Sequence, residues 1–305
     1  MVTTLLSSSA DIEDKLKKLV SKKIDETNNI STYLMRNKDF LLVVSDYPSS
    51  IVSLLRALSV SNSVVFVLNN NISALDAELV LSFENSGIQN CTVVYDEASD
   101  TSTFEKLFAG MELAKSKPIN IAEASSIPVH AVDKGGINYV SIDKHFLVKG
   151  IGSVIIGFVV SGQINKGDHM FLLPSMKEVT VKNIQLMDVD VQSAAAGSHA
   201  GLALNNTTEK DMENNYALCG AKEAYVELNG ELKASKFYSR DVTSLKDIAI
   251  ANGGEAFLAK IERNGNYSKL RLNKPTVPVR KKFVVADPSL PVGKNRIVGA
   301  FELSN

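Results

Sequence analysis

A carboxylate and a proline directly follow a predicted buried strand in the segment Val43–Ser50, VVSDYPSS. In nucleotide-dependent switches, a strand that runs into Asp-x-Pro-Gly places the Asp where it reaches Mg²⁺ through water, and the Gly amide where it contacts the γ-phosphate. Asp46 and Pro48 stand at these positions, but Ser49 takes the position of the Gly. The chemistry that this spacing could support is therefore phosphate and Mg²⁺ binding, with one of three elements missing.

A second requirement of such a site, the phosphate-binding loop, is missing after the first predicted strand. A P-loop needs Gly-x-x-x-x-Gly-Lys-Ser/Thr, because its amides surround the phosphates, the Lys neutralises them and the hydroxyl binds Mg²⁺. Residues 7–16 read SSSADIEDKL, with no Gly and no Lys-Ser/Thr pair. Asp11, Glu13 and Asp14 would repel a triphosphate and stabilise a helix N-terminus, for which Ser9 is the predicted N-cap. We expect no phosphate site here, whether these acids replace the phosphates or are ordinary first-turn residues.

The remaining guanine-nucleotide motifs are also incomplete. Ser31 or Thr32 could correspond to the switch-one Thr, and Ser50 stands where a His would position the attacking water. Residues 95–98, YDEA, replace the guanine-reading Asn-Lys-x-Asp, and the last guanine motif survives at most as residues 123–126, EASS. Because so many partners are lost, we interpret the Asp-x-Pro segment as a remnant that is kept for its strand-to-loop geometry.

No other set of side chains has the spacing of a catalytic or metal site. The four histidines, which are isolated in the sequence, are His130, His145, His169 and His199. Cys91 and Cys219 match no metal or redox motif and are expected to be buried thiols in a reducing cytoplasm. Asp188 and Asp190 alternate along one strand and are expected to be solvated. We therefore predict no catalytic residue, no metal, no GTP or Mg²⁺ cofactor, and no enzymatic activity.

Hydrophobic periodicity predicts an α/β domain at the start of the chain. In residues 1–126, short apolar runs such as VTTLL and SVVFVLN alternate with helical patterns. This alternation predicts a parallel sheet that is covered by helices on both faces. One predicted helix covers residues 10–24, with Ile12, Leu16 and Leu19 on its apolar face.

Two all-β domains are predicted in the rest of the chain. Residues 127–222 and 223–305 have no long helical period, and turn residues recur about every 8–12 residues, which is typical of β-barrels. Residues 223–305 carry 14 basic and 9 acidic residues, whereas residues 1–126 carry 11 and 16. A basic last third suits contact with a polyanion, although chance surface variation gives the same imbalance. The apolar runs are too short to span a bilayer and no signal peptide is recognised, so we expect a cytoplasmic protein that binds no membrane. We also expect no DNA partner.

The segments that carry a family resemblance lie in the all-β part. Residues 145–174, HFLVKGIGSVIIGFVVSGQINKGDHMFLLP, combine Gly-x-Gly, two β-branched strands and Lys-Gly-Asp, and residues 181–204 end in Ala-x-Ala-Gly before Gly-Leu-Ala-Leu. This order resembles the second domain of translational GTPases, and most of all the archaeal SelB-type elongation factors. Residues 184–197, IQLMDVDVQSAAAG, look most like the SelB-like factor associated with pyrrolysine. Residues 279–303 are similar to the closing strands of the third domain in the same group.

The resemblance implies a P-loop-GTPase-like α/β domain followed by two β-barrels that are similar to domains II and III of EF-Tu. It implies boundaries at residues 1–126, 127–222 and 223–305. Members of this group carry aminoacyl-tRNA to the ribosome. Their second domain forms part of the site for the aminoacyl end, and their third domain meets the acceptor–T arm of the tRNA.

We therefore interpret the chain as a SelB-like translation-factor paralogue that has lost GTP binding and hydrolysis and that binds tRNA or ribosome-associated RNA. The predicted phosphate contacts are Lys149, Lys166, Arg280, Lys281, Lys282, Lys294 and Arg296. A solvated strand edge is the alternative for the basic run VRKK. Two other functions stay open: a true GTPase with an unusual pocket, and a scaffold that binds another protein, for instance a translation factor, through its barrels.

Overall fold

A computed structural model describes residues 1–9, 12–36, 40–264 and 267–304. We refer to residues 1–126 as domain 1, 127–222 as domain 2 and 223–305 as domain 3. The strands of domain 1 are β1 (Val2–Leu6), β2 (Val20–Thr27), β3 (Ile30–Met35), β4 (Leu41–Ser45), β5 (Ser63–Val67), β6 (Asn90–Tyr95) and β7 (Ile119–Asn120). Its helices are α1 (Ile12–Leu19), α2 (Ile51–Val60), α3 (Ala74–Ser86) and α4 (Thr101–Leu107), with 3₁₀ turns at Glu112–Lys115 and Ile121–Ser126.

The sheet of domain 1 has the order β2-β3-β4-β1-β5-β6-β7. Strands β4, β1, β5, β6 and β7 are parallel, as predicted, whereas β2 and β3 are antiparallel to their neighbours. The helix predicted over residues 10–24 ends at Leu19, because the chain turns into the β2–β3 hairpin. Asn28 and Asn29, at φ 54° and 61°, form its two-residue turn, which is the backbone conformation that this kind of hairpin requires.

Local sequence explains where α2 and α3 begin and end. Ser50 caps α2, and its side chain accepts from the amide of Ser53. Ser73 and Asp76 form a capping box at the start of α3, and Gly87 ends the helix at φ 77°, a conformation that glycine adopts without strain. These caps set the start of both helices, α2 and α3, which contact domain 3.

Domains 2 and 3 are both β-barrels, and this confirms the predicted fold class. The elements of domain 2 are β8 (Tyr139–Val148), β9 (Gly152–Ser161), β10 (Gln163–Asn165), β11 (His169–Leu173), β12 (Lys177–Leu186), β13 (Val189–Val191), β14 (Ser193–Ala195), β15 (His199–Asn205), α5 (Glu209–Met212) and β16 (Ala217–Cys219). Those of domain 3 are β17 (Tyr225–Ala234), a 3₁₀ turn (Val242–Ser244), β18 (Asp247–Asn252), β19 (Glu255–Asn264), β20 (Tyr267–Thr276), β21 (Lys282–Ala286) and β22 (Ile297–Leu303). In domain 2 the order is β11-β16-β8-β9-β15-β12 with β12 paired back to β11, and in domain 3 it is β17-β20-β19-β18-β21-β22, also closed.

Domains 1 and 3 share one hydrophobic core. Helix α2 packs against β18, β19 and β21, and α3 packs against β21 and β22. Leu55 and Leu58 of α2 lie in the same buried cluster as Ala251, Val284 and Ile297 of domain 3. The two domains are therefore joined by packing of the kind found inside a single domain.

A second buried cluster lies where all three domains meet. It contains Val43 and Val60 of domain 1, Tyr139 and Phe158 of domain 2, and Val277 of domain 3. Domain 2 is thus anchored to the other two domains at one end of its barrel. Within the described part of the chain, no helix combines the length and the apolar character needed to cross a membrane.

Candidate functional site

The carboxyl edge of the parallel strands is the usual ligand site of an α/β sheet, and here side chains of the protein occupy it. Ser8, which follows β1, donates through Oγ to Asp76 Oδ1 at 2.8 Å. Asn69, which follows β5, donates from Nδ2 to the same Asp76 oxygen at 2.7 Å and to Ser8 Oγ at 2.8 Å. Asp76 is only 1% exposed. A buried carboxylate of α3 therefore ties together the loops after β1 and β5.

An ion pair at the same edge joins α1 to the loop after β6. Lys15 is buried, and its Nζ lies 3.4 Å from Asp96 Oδ2 and 3.5 Å from the carbonyl oxygen of Leu68. Burial alone would raise the pKa of Asp96, but hydrogen bonds from Ser99 and the charge of Lys15 bring it below the usual value. Asp96 is therefore ionised at neutral pH and holds the ammonium group of Lys15 in place.

Two of the acids that the sequence places at the helix start after β1 lie in the first turn of α1. Glu13 and Asp14 are exposed on α1, and Asp14 pairs with Lys17 at 2.7 Å. They therefore occupy the helix N-terminus as the sequence predicts, while the buried carboxylates at the strand ends come from α3 and from the loop after β6. Asp11 lies outside the described residues, so the N-cap role of Ser9 stays a prediction.

The loop after β4, residues Asp46–Ser50, corresponds to the Asp-x-Pro segment of the sequence, and we call it the second-switch loop. Tyr47 donates from its hydroxyl to Glu78 Oε2 of α3 at 2.9 Å. Ser50, at the position expected for a His, is the N-cap of α2 and accepts from the amide of Ser53 at 3.1 Å. The side chains of Tyr47 and Ser50 therefore connect this loop to α3 and α2, respectively.

A small cavity lies between the second-switch loop and the loop after β1. Its volume is about 60 Å³, and its lining includes Ser7, Ser8, Ser9, Tyr47 and Pro48. At roughly 10–15 Å³ for each enclosed water, this space holds a few water molecules. Asp46 and Ser49 are exposed, so of the three proposed remnants only Pro48 faces this cavity.

Arg296, which precedes β22, is buried against the second-switch loop. Its Nη2 lies 2.6 Å from Glu78 Oε2, its Nε lies 3.1 Å from Glu78 Oε1, and its Nη1 donates to the carbonyl oxygen of Pro48 at 3.0 Å. The side chains of Arg296 and Glu78 are 3% and 1% exposed. The prediction that Arg296 contacts RNA is therefore wrong, because its guanidinium group is engaged inside the protein.

Arg280 and Lys282 bind the C-terminal ends of helices in domain 1. Arg280 donates from Nη1 to the carbonyl oxygen of Leu58 at 3.0 Å and from Nη2 to that of Ser61, at the end of α2. Lys282 donates from Nζ to the carbonyl oxygen of Glu84, in the last turn of α3, at 3.1 Å. Burial lowers the pKa of Arg280 to about 10, which leaves it charged at neutral pH. Positive charge stabilises a helix C-terminus, so both residues cap helices, and this corrects their predicted role as RNA contacts.

The other predicted contacts lie at or near the surface. Lys149, Lys281 and Lys294 are exposed, and Lys166 is half-buried. Lys149 lies in the turn between β8 and β9, beside residues that line the cleft described next. For these four residues, RNA contact stays a prediction.

A cleft of about 1000 Å³ lies between the β2–β3 side of domain 1 and the barrel of domain 2. Its apolar lining includes Ile24 and Leu34 of domain 1 and Phe146, Ile151, Val154, Ile156 and Met187 of domain 2. Phe146 and Met187 are 43% and 63% exposed, although they are apolar. Lys22, Lys23 and Lys144 also line the cleft. Its volume is that of a typical ligand site, about 300–1000 Å³, and it is the candidate functional site.

Two pairs of polar side chains lie at the cleft, whose lining includes His199, Lys144 and Asp25. His199 Nε2 and Asp143 Oδ2 are 2.9 Å apart and largely buried. Burial raises the pKa of Asp143, and the hydrogen bond to His199 opposes this rise. Lys144 pairs with Asp25 of β2 and so connects domain 2 to domain 1. His199 is isolated in the sequence, and its partner in the fold lies 56 residues earlier in the chain.

The remaining residues singled out in the sequence form no further site. Cys91 and Cys219 are free thiols in different domains, as expected. Asp188 and Asp190 are exposed, also as expected. Among the described residues, no group of three or more His, Cys, Asp or Glu side chains could hold a metal ion.

Comparison with known proteins identifies the type of domain 2. Residues 152–214 match the family model of elongation factor Tu domain 2. An uncharacterized protein of Methanocaldococcus jannaschii is 28% identical over 275 residues, which cover 84% of this chain and 85% of that protein. The selenocysteine-specific elongation factor of the same organism is 43% identical over 63 residues, which cover 21% of this chain and 13% of that factor.

The overall fold also has a counterpart among solved structures. The crystal structure of translation elongation factor SelB from Methanococcus maripaludis, in complex with the GTP analogue GppNHp, is similar with a TM-score of 0.79. The similarity covers 100% of this chain and 79% of SelB at 16% sequence identity, so it concerns the fold. The chain thus has the fold of SelB, and residues 152–214 of its second domain are of the elongation factor Tu domain 2 type.

Proposed function

We propose that this protein is a cytoplasmic paralogue of SelB-like elongation factors that binds tRNA or ribosome-associated RNA without GTP. Residues 184–197 support a position nearest to the pyrrolysine-associated SelB-like factor. The observation that carries the proposal is the filled carboxyl edge of the sheet in domain 1, at which the parallel strands would present a ligand.

The loss of GTP binding is supported by the contacts at that edge. A triphosphate would have to displace the Asp76 carboxylate, which already accepts from Ser8 and Asn69. It would also have to compete with Asp96 for Lys15, the buried cation of this edge. The loop after β1 contains no glycine, so it cannot adopt the backbone conformations of a P-loop at low cost.

RNA binding at the cleft is supported by the kinds of side chain that line it. Unpaired RNA bases stack on aromatic side chains, and lysine contacts phosphate. Phe146 is exposed inside the cleft, and Lys22 and Lys149 are exposed in it and beside it. The resemblance to translation factors assigns the aminoacyl end of a tRNA to domain 2, which forms one wall of this cleft.

Titration with a fluorescent GTP analogue in the presence of Mg²⁺ tests the first part of the proposal. We expect no binding at micromolar protein and nucleotide, and no change of melting temperature with GTP or GDP. A ligand at a hundredfold excess over its Kd would add about 2.7 kcal/mol to the free energy of unfolding, so the absence of a shift is informative. Micromolar binding would favour a GTPase with an unusual pocket.

Filter binding of total tRNA across a series of salt concentrations tests the second part. We expect Lys22→Ala and Lys149→Ala each to reduce the slope of log affinity against log salt by about 0.7–0.9, and Phe146→Ala to weaken binding without changing the slope. The matched controls are Lys117→Ala and Lys210→Ala, which remove exposed lysines away from the cleft. If the wild-type protein binds no RNA but retains a protein partner in pulldown, the scaffold function is favoured instead.

A further inference from the structure

The contacts of Arg296 connect three parts of the chain at one buried point. Its side chain pairs with Glu78 of α3 and donates to Pro48 of the second-switch loop. Its backbone amide donates to Glu78 Oε1 at 2.6 Å, and its guanidinium carbon lies 5.5 Å from the centre of the Tyr47 ring. Glu78 also accepts from the Tyr47 hydroxyl. One residue of domain 3 therefore contacts both the helix and the loop of domain 1.

We propose that the Arg296–Glu78 pair fixes the second-switch loop and the docking of domain 3 in one permanent arrangement. In a nucleotide switch, contacts to the γ-phosphate hold such a loop and are lost on hydrolysis. In this protein the guanidinium group of Arg296 contacts the loop instead, and hydrolysis cannot remove it because it is part of the chain. The proposal concerns the arrangement of domains 1 and 3, so it goes beyond RNA binding and does not depend on it.

The ion pair sets the position of the two domains, and the shared apolar core provides their attraction. Burying two charges costs about as much solvation free energy as their attraction returns, so such a pair adds little net stability. A shifted arrangement of the domains would nevertheless leave Glu78 or Arg296 buried without a partner, which is strongly unfavourable. The pair therefore excludes alternative arrangements that the apolar contacts of Leu58, Val284 and Ile297 alone would tolerate.

The second-switch loop depends on this pair for several of its contacts. The Pro48 carbonyl and the Tyr47 hydroxyl are bound by Arg296 and Glu78. The Tyr47 hydroxyl also donates to the carbonyl oxygen of Leu75 in α3 at 2.9 Å. At the ends of the loop, the Asp46 amide donates to the Asn29 carbonyl at 3.0 Å and the Ser50 amide to the Asp46 carbonyl at 2.8 Å. Loss of the pair should therefore loosen the middle of the loop.

Hydrogen exchange of the amides in residues 44–52 tests the proposal on the full chain. We expect Arg296→Met to raise their exchange rates at least tenfold. The matched control is Arg56→Met, which removes another arginine at the boundary of domains 1 and 3, one that pairs with Glu255 at 3.4 Å. Exchange in residues 44–52 should stay within twofold of the wild-type rate in this control.

A double variant keeps the experiment decisive if Arg296→Met fails to fold. Arg296→Met leaves a buried unpaired carboxylate and should lower the equilibrium constant for folding roughly a hundredfold to a thousandfold. Glu78→Met combined with Arg296→Met removes both charges and should restore folding to within about tenfold of the wild type, while exchange in the loop stays raised. If the loop remains as protected in the double variant as in Arg56→Met, the pair does not fix the loop and the proposal is wrong.

Discussion

Domain 1 has two boundaries that differ in kind. Toward domain 3 it is closed: α2 and α3 share a hydrophobic core with the barrel, and Arg280, Lys282 and Arg296 reach into domain 1. Toward domain 2 it packs at the three-domain junction, forms the Asp25–Lys144 ion pair and opens into a cleft of about 1000 Å³. Basic residues at the closed boundary bind carbonyl groups and a buried carboxylate, whereas Lys22 and Lys149 near the cleft are exposed.

This difference shows that the charge of a segment does not predict its partner. The basic excess of residues 223–305 suggested contact with a polyanion, but three of its cations stabilise domain 1 instead. The candidate site instead lies beside domain 2, whose sequence is nearly neutral, with 8 basic and 9 acidic residues. Substitutions at the two boundaries and at the sheet edge of domain 1 should therefore differ in their effects on stability.

The closed boundary predicts that domains 1 and 3 unfold together. Leu58→Ala removes a side chain that is 2% exposed in the shared core, and we expect a loss of about 2–5 kcal/mol in the free energy of unfolding. Urea unfolding that is followed by probes in each domain should show one transition, shifted equally for both. The control Leu107→Ala, at a side chain 59% exposed, should have little effect. A transition of domain 3 that stays unshifted would show that the boundary is not cooperative.

Loss of the helix cap that Arg280 provides should have a smaller effect on the free energy of unfolding, and no effect on the affinity for RNA. Arg280→Met removes two hydrogen bonds from a charged donor to the end of α2, and we expect a cost of about 1.5–3 kcal/mol. Lys294→Met, at an exposed residue of the same domain, is the stability control. Affinity for tRNA should be unchanged in Arg280→Met. If affinity falls while stability does not, the original assignment of Arg280 as an RNA contact is correct.

Because Asp96 pairs with Lys15 at the sheet edge, we expect the stability of the protein to depend on pH in the acidic range. Because the folded state lowers the pKa of Asp96 below its usual value, its contribution is fully present above the unfolded pKa of about 3.9 and is lost as pH falls through the folded pKa. We expect Asp96→Asn to cost about 1–2 kcal/mol at pH 7, and the difference from wild type to shrink below about pH 4. Thermal melting of both proteins between pH 3 and 7 measures this. A difference that is independent of pH would exclude the pair with Lys15 as its source.

The open boundary predicts the smallest effect on stability. Lys149→Ala should change the free energy of unfolding by less than about 0.5 kcal/mol, because the side chain is exposed. Its effect should appear only in the salt dependence of tRNA binding. A destabilisation comparable with that of Arg280→Met would contradict the distinction between the two boundaries.

Most of the fold could be predicted from local sequence. The glycine turns and β-branched runs of residues 145–204 identify a barrel, and strand–helix alternation identifies the α/β domain. The β2–β3 hairpin was missed because Ile12, Leu16, Leu19 and Val20 continue a helical period across its start. The pair Asn28-Asn29, between two alternating segments, was the available indication of a two-residue hairpin turn.

The contacts between domains and the candidate site were harder to predict because the residues that meet there are distant in sequence. Arg296 and Glu78 are 218 residues apart, and Arg280 is 222 residues from Leu58. Neither a charge count nor a periodicity contains the information that two such residues meet. His199 and Asp143 present the same difficulty, and so does the cleft itself, since its walls come from different domains.

The position of Arg296 near the end of the chain has a consequence for how the protein matures during synthesis. At about 5–20 residues per second, the ribosome needs roughly 10–40 s to add the 218 residues between Glu78 and its partner. Throughout that interval the nascent α/β domain carries an uncompensated carboxylate, an uncapped end of α2 and an apolar helix surface without its cover. Domain 1 is therefore completed only after domain 3 has been synthesised, and a chain that stops short of β22 should be a substrate for chaperones and proteases.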